Sequence, residues 1–169
     1  MAAPRTLVVF YSRTGTTARV AVQLADALKA DLVELRSRTS FGGLFGLLRA
    51  IWLARAKKGA PVERLPVDPA DYDLVVVGTP IWASHIAPPV RGFLEENKGR
   101  IRDYACFYTC LGTGAPEAGE DMARIMGPSP RAVLDLGRRE GEGAVGEARI
   151  ATYLRELGLA EGLRHNPSP

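Results

Sequence analysis

Short apolar runs that alternate with amphipathic helices constrain this chain more than any other feature of its sequence. Residues 6–11 and 72–78 are nearly continuous apolar stretches, as in strands buried on both faces of a parallel sheet. Further strands are predicted at 31–35 (alternating, hence at an edge), within 101–110 and at 131–136. Helical patterns separate these strands, which favours a parallel sheet with helices on both faces. We therefore predict one doubly wound α/β domain over residues 1–160, with a flexible tail at 161–169.

The composition excludes several classes of protein. The chain has 169 residues, 46% hydrophobic and 24% charged, as in an ordinary globular domain. No stretch approaches the ~18 apolar residues of a spanning helix, and no secretory signal is recognisable, so we expect a cytoplasmic protein. The net charge of +3 is mild, and we expect no nucleic-acid binding. The only cysteines, Cys106 and Cys110, would lie roughly 13 Å apart on one strand, too far for a disulfide, and we expect no metal site.

A loop rich in hydroxyl groups follows the first strand, where a helix begins. It consists of Ser12, Arg13, Thr14, Gly15, Thr16 and Thr17. Hydroxyls, free backbone N–H groups and the positive end of the helix dipole would converge there on an anion, and Gly15 would let the backbone close tightly. The pattern is neither a P-loop nor a dinucleotide-binding Gly-x-Gly-x-x-Gly. It predicts a phosphate site built mainly from neutral donors, with a simple helix cap as the alternative.

Two further loops follow strands that would end at the same edge of the sheet. In open α/β sheets ligands bind beyond the carboxyl ends of the strands. The second loop contains Thr79, Pro80, Ile81, Trp82, Ala83 and Ser84, and the third contains Thr109, Cys110, Leu111, Gly112, Thr113 and Gly114. Trp82 offers a large flat surface for a ring, although packing in the core is its alternative role.

These segments resemble the flavodoxin family. Residues 9–17 look like the flavodoxin phosphate loop, residues 73–84 are similar to the strand and loop that flank the isoalloxazine ring, and 109–115 falls where the other flavin-flanking loop belongs. The resemblance spans residues 6–157 and implies a five-stranded sheet of order 2-1-3-4-5. It also implies an FMN cofactor held by the three loops.

The chain departs from flavodoxins in three ways. The third loop has no aromatic residue to cover the flavin, and the pI of about 9.1 contrasts with the acidic electron carriers. The second loop has Ala83 and Ser84 where many such proteins have a glycine, so we expect positive φ to be disfavoured there. We assign no catalytic residue. The resemblance implies either an electron carrier with a redox partner protein or an oxidoreductase that reduces a small acceptor such as a quinone.

Residues 41–58 predict a helix that is apolar around most of its circumference. Such a helix is buried, or it offers an apolar surface to a second copy in a homodimer or to an apolar acceptor. We expect no membrane contact, although a helix lying at a membrane surface stays an alternative. A phosphate-sensing module without flavin, such as a receiver domain, is a further alternative. Receiver domains need acidic residues at the ends of their strands, whereas this chain has Ser12, Thr79 and Thr109 there.

Overall fold

A parallel sheet forms the centre of the molecule in the computed structural model, which describes residues 4–110, 112, 116–137 and 143–158. Its strands are β1 (Thr6–Phe10), β2 (Asp31–Glu34), β3 (Leu74–Trp82), β4 (His85–Ile86), β5 (Tyr104–Cys110) and β6 (Val133–Gly137). The parallel strands follow the order β2-β1-β3-β5-β6, and the short β4 pairs antiparallel with β3. Apart from β4, this is the predicted 2-1-3-4-5 order with β2 at an edge, so the predicted doubly wound fold is confirmed.

Helices cover both faces of this sheet. They are α1 (Thr16–Leu28), α2 (Gly43–Arg55), α3 (Pro88–Asn97), α4 (Pro116–Met126) and α5 (Gly143–Glu156), with a 3-10 turn at Pro69–Asp71. Successive strand side chains point to opposite faces. Accordingly Leu7 and Val9 pack with α3 and α4 in one core, while Val8 packs with α1 and α5 in the other. Among the described residues, no helix is long and apolar enough to cross a bilayer.

The second predicted loop is a β-hairpin. β3 continues past residue 78 to Trp82, a two-residue turn follows, and β4 then pairs Ile86 with Ile81. Both turn residues have positive φ, 50° at Ala83 and 69° at Ser84. This combination is typical of a type I′ hairpin turn, which usually has Asn-Gly. The expectation concerned the cost of positive φ at residues without glycine. The folded chain nevertheless holds both residues there, at a cost of about 1–2 kcal/mol each.

Candidate functional site

The three loops meet at a cavity of about 410 Å³ at the carboxyl ends of β1, β3 and β5. The strand order reverses here, since β2 and β3 lie on opposite sides of β1. The lining residues are Arg13, Thr14, Thr16, Thr17, Leu47, Ile51, Pro80, Ile81, Trp82, Ala83, Thr109 and Cys110. The volume is within the range of about 300–1,000 Å³ that is usual for small-molecule sites. Larger cavities beside β6 and beside residues 63–69 are lined by no residue of the three loops.

The hydroxyl-rich loop forms the amino-terminal end of α1. Gly15 is the N-cap residue, with φ 88°, and no side chain caps the helix. The Ser12 hydroxyl instead accepts a hydrogen bond from the Gly15 N–H, at 3.1 Å, and so shapes the turn. The first N–H groups of an α-helix have no partner within the helix. The first turn of α1 therefore presents N–H groups and the exposed hydroxyls of Thr14 and Thr16 to an anion.

Two buried threonines join the first loop to the third. The hydroxyls of Thr17 and Thr109 lie 2.7 Å apart, and both residues are buried. A hydroxyl has one donor and two acceptor positions, so each can make a further hydrogen bond towards the cavity. The pair holds α1 against the end of β5, and thereby fixes the first loop relative to the start of the third.

Trp82 forms a rigid wall of the cavity. Tyr11 and Phe41 contact it edge to face, with ring centroids 5.8 Å and 5.9 Å away and interplanar angles of 88° and 76°. These packed edges hold the indole ring in place. Burial raises the pKa of the Tyr11 phenol above its ordinary value, so this hydroxyl is neutral at neutral pH. Neither Tyr11 nor Phe41 could be assigned to the site from the sequence, because both lie in apolar runs that are typical of a core.

Helix α2 supplies a second apolar wall through Leu47 and Ile51. Neither residue could be assigned to the site from the sequence, since a helix that is apolar on nearly all sides does not show which side faces a ligand. Their spacing of four places them on one face of the helix.

Other predicted residues lie beside the cavity and do not line it. Thr79 is fully buried; its hydroxyl donates to the Pro80 carbonyl at 2.9 Å and accepts from the Ala87 N–H at 3.0 Å. It therefore supports the base of the hairpin. The remaining non-lining residues are Ser12 and Gly15, which shape the first loop, and Ser84 and Gly112. Leu111, Thr113 and Gly114 lie outside the described residues.

A buried carboxylate ties the hairpin to α4. Asp121 is 1% exposed, and its oxygens lie 2.8 Å from Nδ1 of His85 and 2.7 Å from Arg91. Lys57 and Arg124 approach it at 3.8 Å and 3.5 Å. Asp121 follows Glu120 in an amphipathic helix, so nothing in the sequence indicates this role. The cluster fixes β4, and with it the Trp82 wall, against the helix that follows the third loop.

The donor set of the cavity defines what it can hold. One end presents hydroxyls, helix N–H groups and one cation, Arg13, whereas the other end presents Trp82, Ile81 and the α2 wall. No carboxylate lines the cavity, and the described ranges contain no cluster of three or more metal-ligating side chains. The arrangement suits a ligand with a phosphate at one end and a flat apolar ring at the other.

Comparison with known proteins points to one fold. No protein-family model matches the chain, and no curated protein matches its sequence. Its structure is similar to that of a flavoprotein from Lactobacillus acidophilus in complex with FMN (TM-score 0.69, 22% identity, 79% of this chain and 93% of that one). A flavoprotein from Bacteroides eggerthii is also similar (TM-score 0.73, 19% identity, 92% of this chain and 98% of that one). So is oxidised flavodoxin 1 of Bacillus cereus (TM-score 0.54, 12% identity, 91% of this chain and 97% of that one). The chain therefore has the flavodoxin-like fold.

Proposed function

We propose that this chain is a redox protein that binds FMN. The observation that carries the proposal is the uncapped start of α1, with Gly15 at positive φ, beside a cavity that the first turn of α1 and Trp82 both line. A phosphomonoester fits the first feature and a tricyclic ring fits the second. The FMN complex of the similar Lactobacillus acidophilus flavoprotein supports the assignment.

The residues that would hold FMN divide into two groups. Thr14 and Thr16, with the N–H groups of the first turn of α1, would bind the phosphate, and Arg13 would contribute its charge. Trp82 and Ile81 would bind the ring system and exclude water from it. FMN, when bound, supplies the electron transfer, and the protein orients it and sets its surroundings.

For the acceptor, we favour a small apolar molecule such as a quinone over a partner protein. The second apolar wall, Leu47 and Ile51, faces the same cavity and would offer such a molecule an apolar surface. The third loop has no aromatic residue that would close this side. Reduction of the FMN-loaded protein, followed by anaerobic mixing with a water-soluble quinone, tests this role. Rapid return of the oxidised flavin spectrum is expected; return only with a second redox protein would favour the carrier role.

Binding of the cofactor is tested by titrating the purified chain with FMN and with riboflavin and following the quenching of flavin fluorescence. A hydrogen bond to a charged group is worth about 1.5–3 kcal/mol. Several such bonds, discounted for desolvation of the phosphate, give FMN at least a roughly hundredfold advantage at about 1.4 kcal/mol per factor of ten. Affinities within about tenfold of one another would show that the loop only caps a helix, and absence of quenching by both would refute flavin binding.

A further inference from the structure

The outward face of α2 is an exposed apolar surface. Leu44, Phe45, Leu48 and Trp52 are 69%, 87%, 55% and 59% exposed. We call these four residues the α2 patch. Their spacing places them on one side of the helix. The helix already has an inward side, where Ala50 and Ala54 are buried, so the patch is not part of the core.

Positive charge surrounds the α2 patch. Residues 35–62 contain six cations and no acidic residue. Of these cations, Arg49 and Arg55 are exposed and form no ion pair with any described residue. Lys58 lies over the Trp52 ring, with Nζ 5.2 Å from its centroid. The chain therefore presents large apolar side chains and basic side chains together at one helix.

The basic residues around the α2 patch favour one of the two surfaces that could cover it, a second copy of the chain or a lipid membrane. A second copy of the chain, packed α2 against α2, would bring two sets of cations together without acids to neutralise them. An anionic lipid surface satisfies both features: leucine and aromatic side chains enter the boundary between headgroups and acyl chains, while Lys and Arg contact lipid phosphates. We propose that the α2 patch docks this protein onto an anionic membrane surface.

The same helix joins this surface to the cavity. Leu47 and Ile51 line the cavity, and Leu48 and Trp52, the next residues in the chain, belong to the patch. An apolar acceptor dissolved in the bilayer would therefore reach the cavity along an apolar path. This consequence rests on the proposed function, whereas docking itself does not and is testable without a cofactor.

Co-sedimentation with lipid vesicles tests the docking. The chain is expected to sediment with vesicles that contain phosphatidylglycerol, more weakly at high salt, and not with vesicles of phosphatidylcholine alone. The double variant Phe45→Gln/Leu48→Gln should lose this binding, while Val22→Ser/Val145→Ser, which changes exposed valines on α1 and α5, should keep it. Replacing Arg49 and Arg55 with Gln should weaken binding about 30-fold, whereas Arg102→Gln, at another exposed arginine, should have little effect.

Tryptophan fluorescence supplies an independent measurement. The chain has two tryptophans, so Trp82→Phe leaves Trp52 as the only one. Its emission should shift to shorter wavelength with phosphatidylglycerol vesicles and stay unchanged with phosphatidylcholine. Absence of sedimentation with anionic vesicles, or full binding by Phe45→Gln/Leu48→Gln, would overturn the proposal. So would a dimer in solution that this variant dissociates, since a second copy would then cover the patch.

Discussion

Replacing Gly15 with alanine separates the role of the phosphate loop from that of the ring site. Gly15 has φ 88°, and a Cβ added there would meet no atom within 4 Å. The cost is therefore backbone strain without a clash, about 1–2 kcal/mol for an L-residue in the left-handed region. Because this loop is exposed, Gly15→Ala can relax to another conformation when no ligand is bound, and FMN binding must then restore the native turn. At about 1.4 kcal/mol per factor of ten, the Kd for FMN should rise roughly five- to thirtyfold.

Riboflavin and a matched glycine provide the controls. Riboflavin lacks the phosphate, so its affinity should change by less than about twofold in Gly15→Ala, measured by fluorescence quenching. Gly99 has φ 83° and equally open space around a built Cβ, but it follows α3, away from the cavity lining. Gly99→Ala should leave both affinities unchanged. An equal loss of FMN and riboflavin affinity in Gly15→Ala, or no loss of either, would refute the placement of the phosphate at this loop.

Three further predictions concern the contacts that build the site. Ser84→Gly removes the strain of a non-glycine residue at φ 69°. After the entropy cost of glycine is subtracted, the variant should be more stable by about 0.5–1 kcal/mol and show a higher Tm in thermal unfolding. An unchanged or lower Tm would contradict the strained turn. Thr17→Val leaves the buried Thr109 hydroxyl without its 2.7 Å partner and should cost about 1–3 kcal/mol in denaturant unfolding, whereas the double variant with Thr109→Val should cost clearly less than the sum of the single variants. Asp121→Asn removes the charge that faces buried Arg91 and should lower the free energy of unfolding by about 3–5 kcal/mol, measured by denaturant unfolding. Stability should recover when Arg91 is also changed to Met. A loss below about 1 kcal/mol would mean that the cluster does not anchor the hairpin.

The sheet could be predicted from the sequence because its central strands are apolar on both faces. The side chains of Val8 and Val76, at the centres of two such runs, are fully buried. The alternation of strands and helices implies a parallel sheet, for which right-handed crossovers allow few topologies. The hairpin could not be predicted in the same way, because Pro80 is a typical loop residue and Ala83-Ser84 lacks the Asn-Gly or Asp-Gly pair of a type I′ turn. Pairing with β5, which places Pro80 beside Thr109, overrides those local preferences.

The candidate site was only partly readable from the sequence. Residues that contribute through backbone position, such as Gly15, could be inferred because the loop type requires them. Residues that contribute through tertiary packing, such as Leu47, could not be inferred from the sequence. Leu47 and Trp52 belong to one apolar helix, yet one lines the cavity and the other is 59% exposed. The hydrophobic pattern alone does not distinguish these two faces.

The two ends of the cavity differ in how firmly the fold holds them. Contacts on several sides fix the wall at Trp82. Edge contacts with Tyr11 and Phe41 orient the ring, and the 2.8 Å hydrogen bond between His85 and Asp121 holds the strand that pairs with it. A strained turn persists when the contacts around it hold it in place, and these contacts hold Ala83 at positive φ. Residues 13–16 of the first loop are exposed, and a hydrogen bond from Gly15 to Ser12 shapes their turn. We therefore expect substitutions in the loop to change the affinity for the phosphate of FMN, and substitutions beneath the hairpin to change the stability of the whole wall.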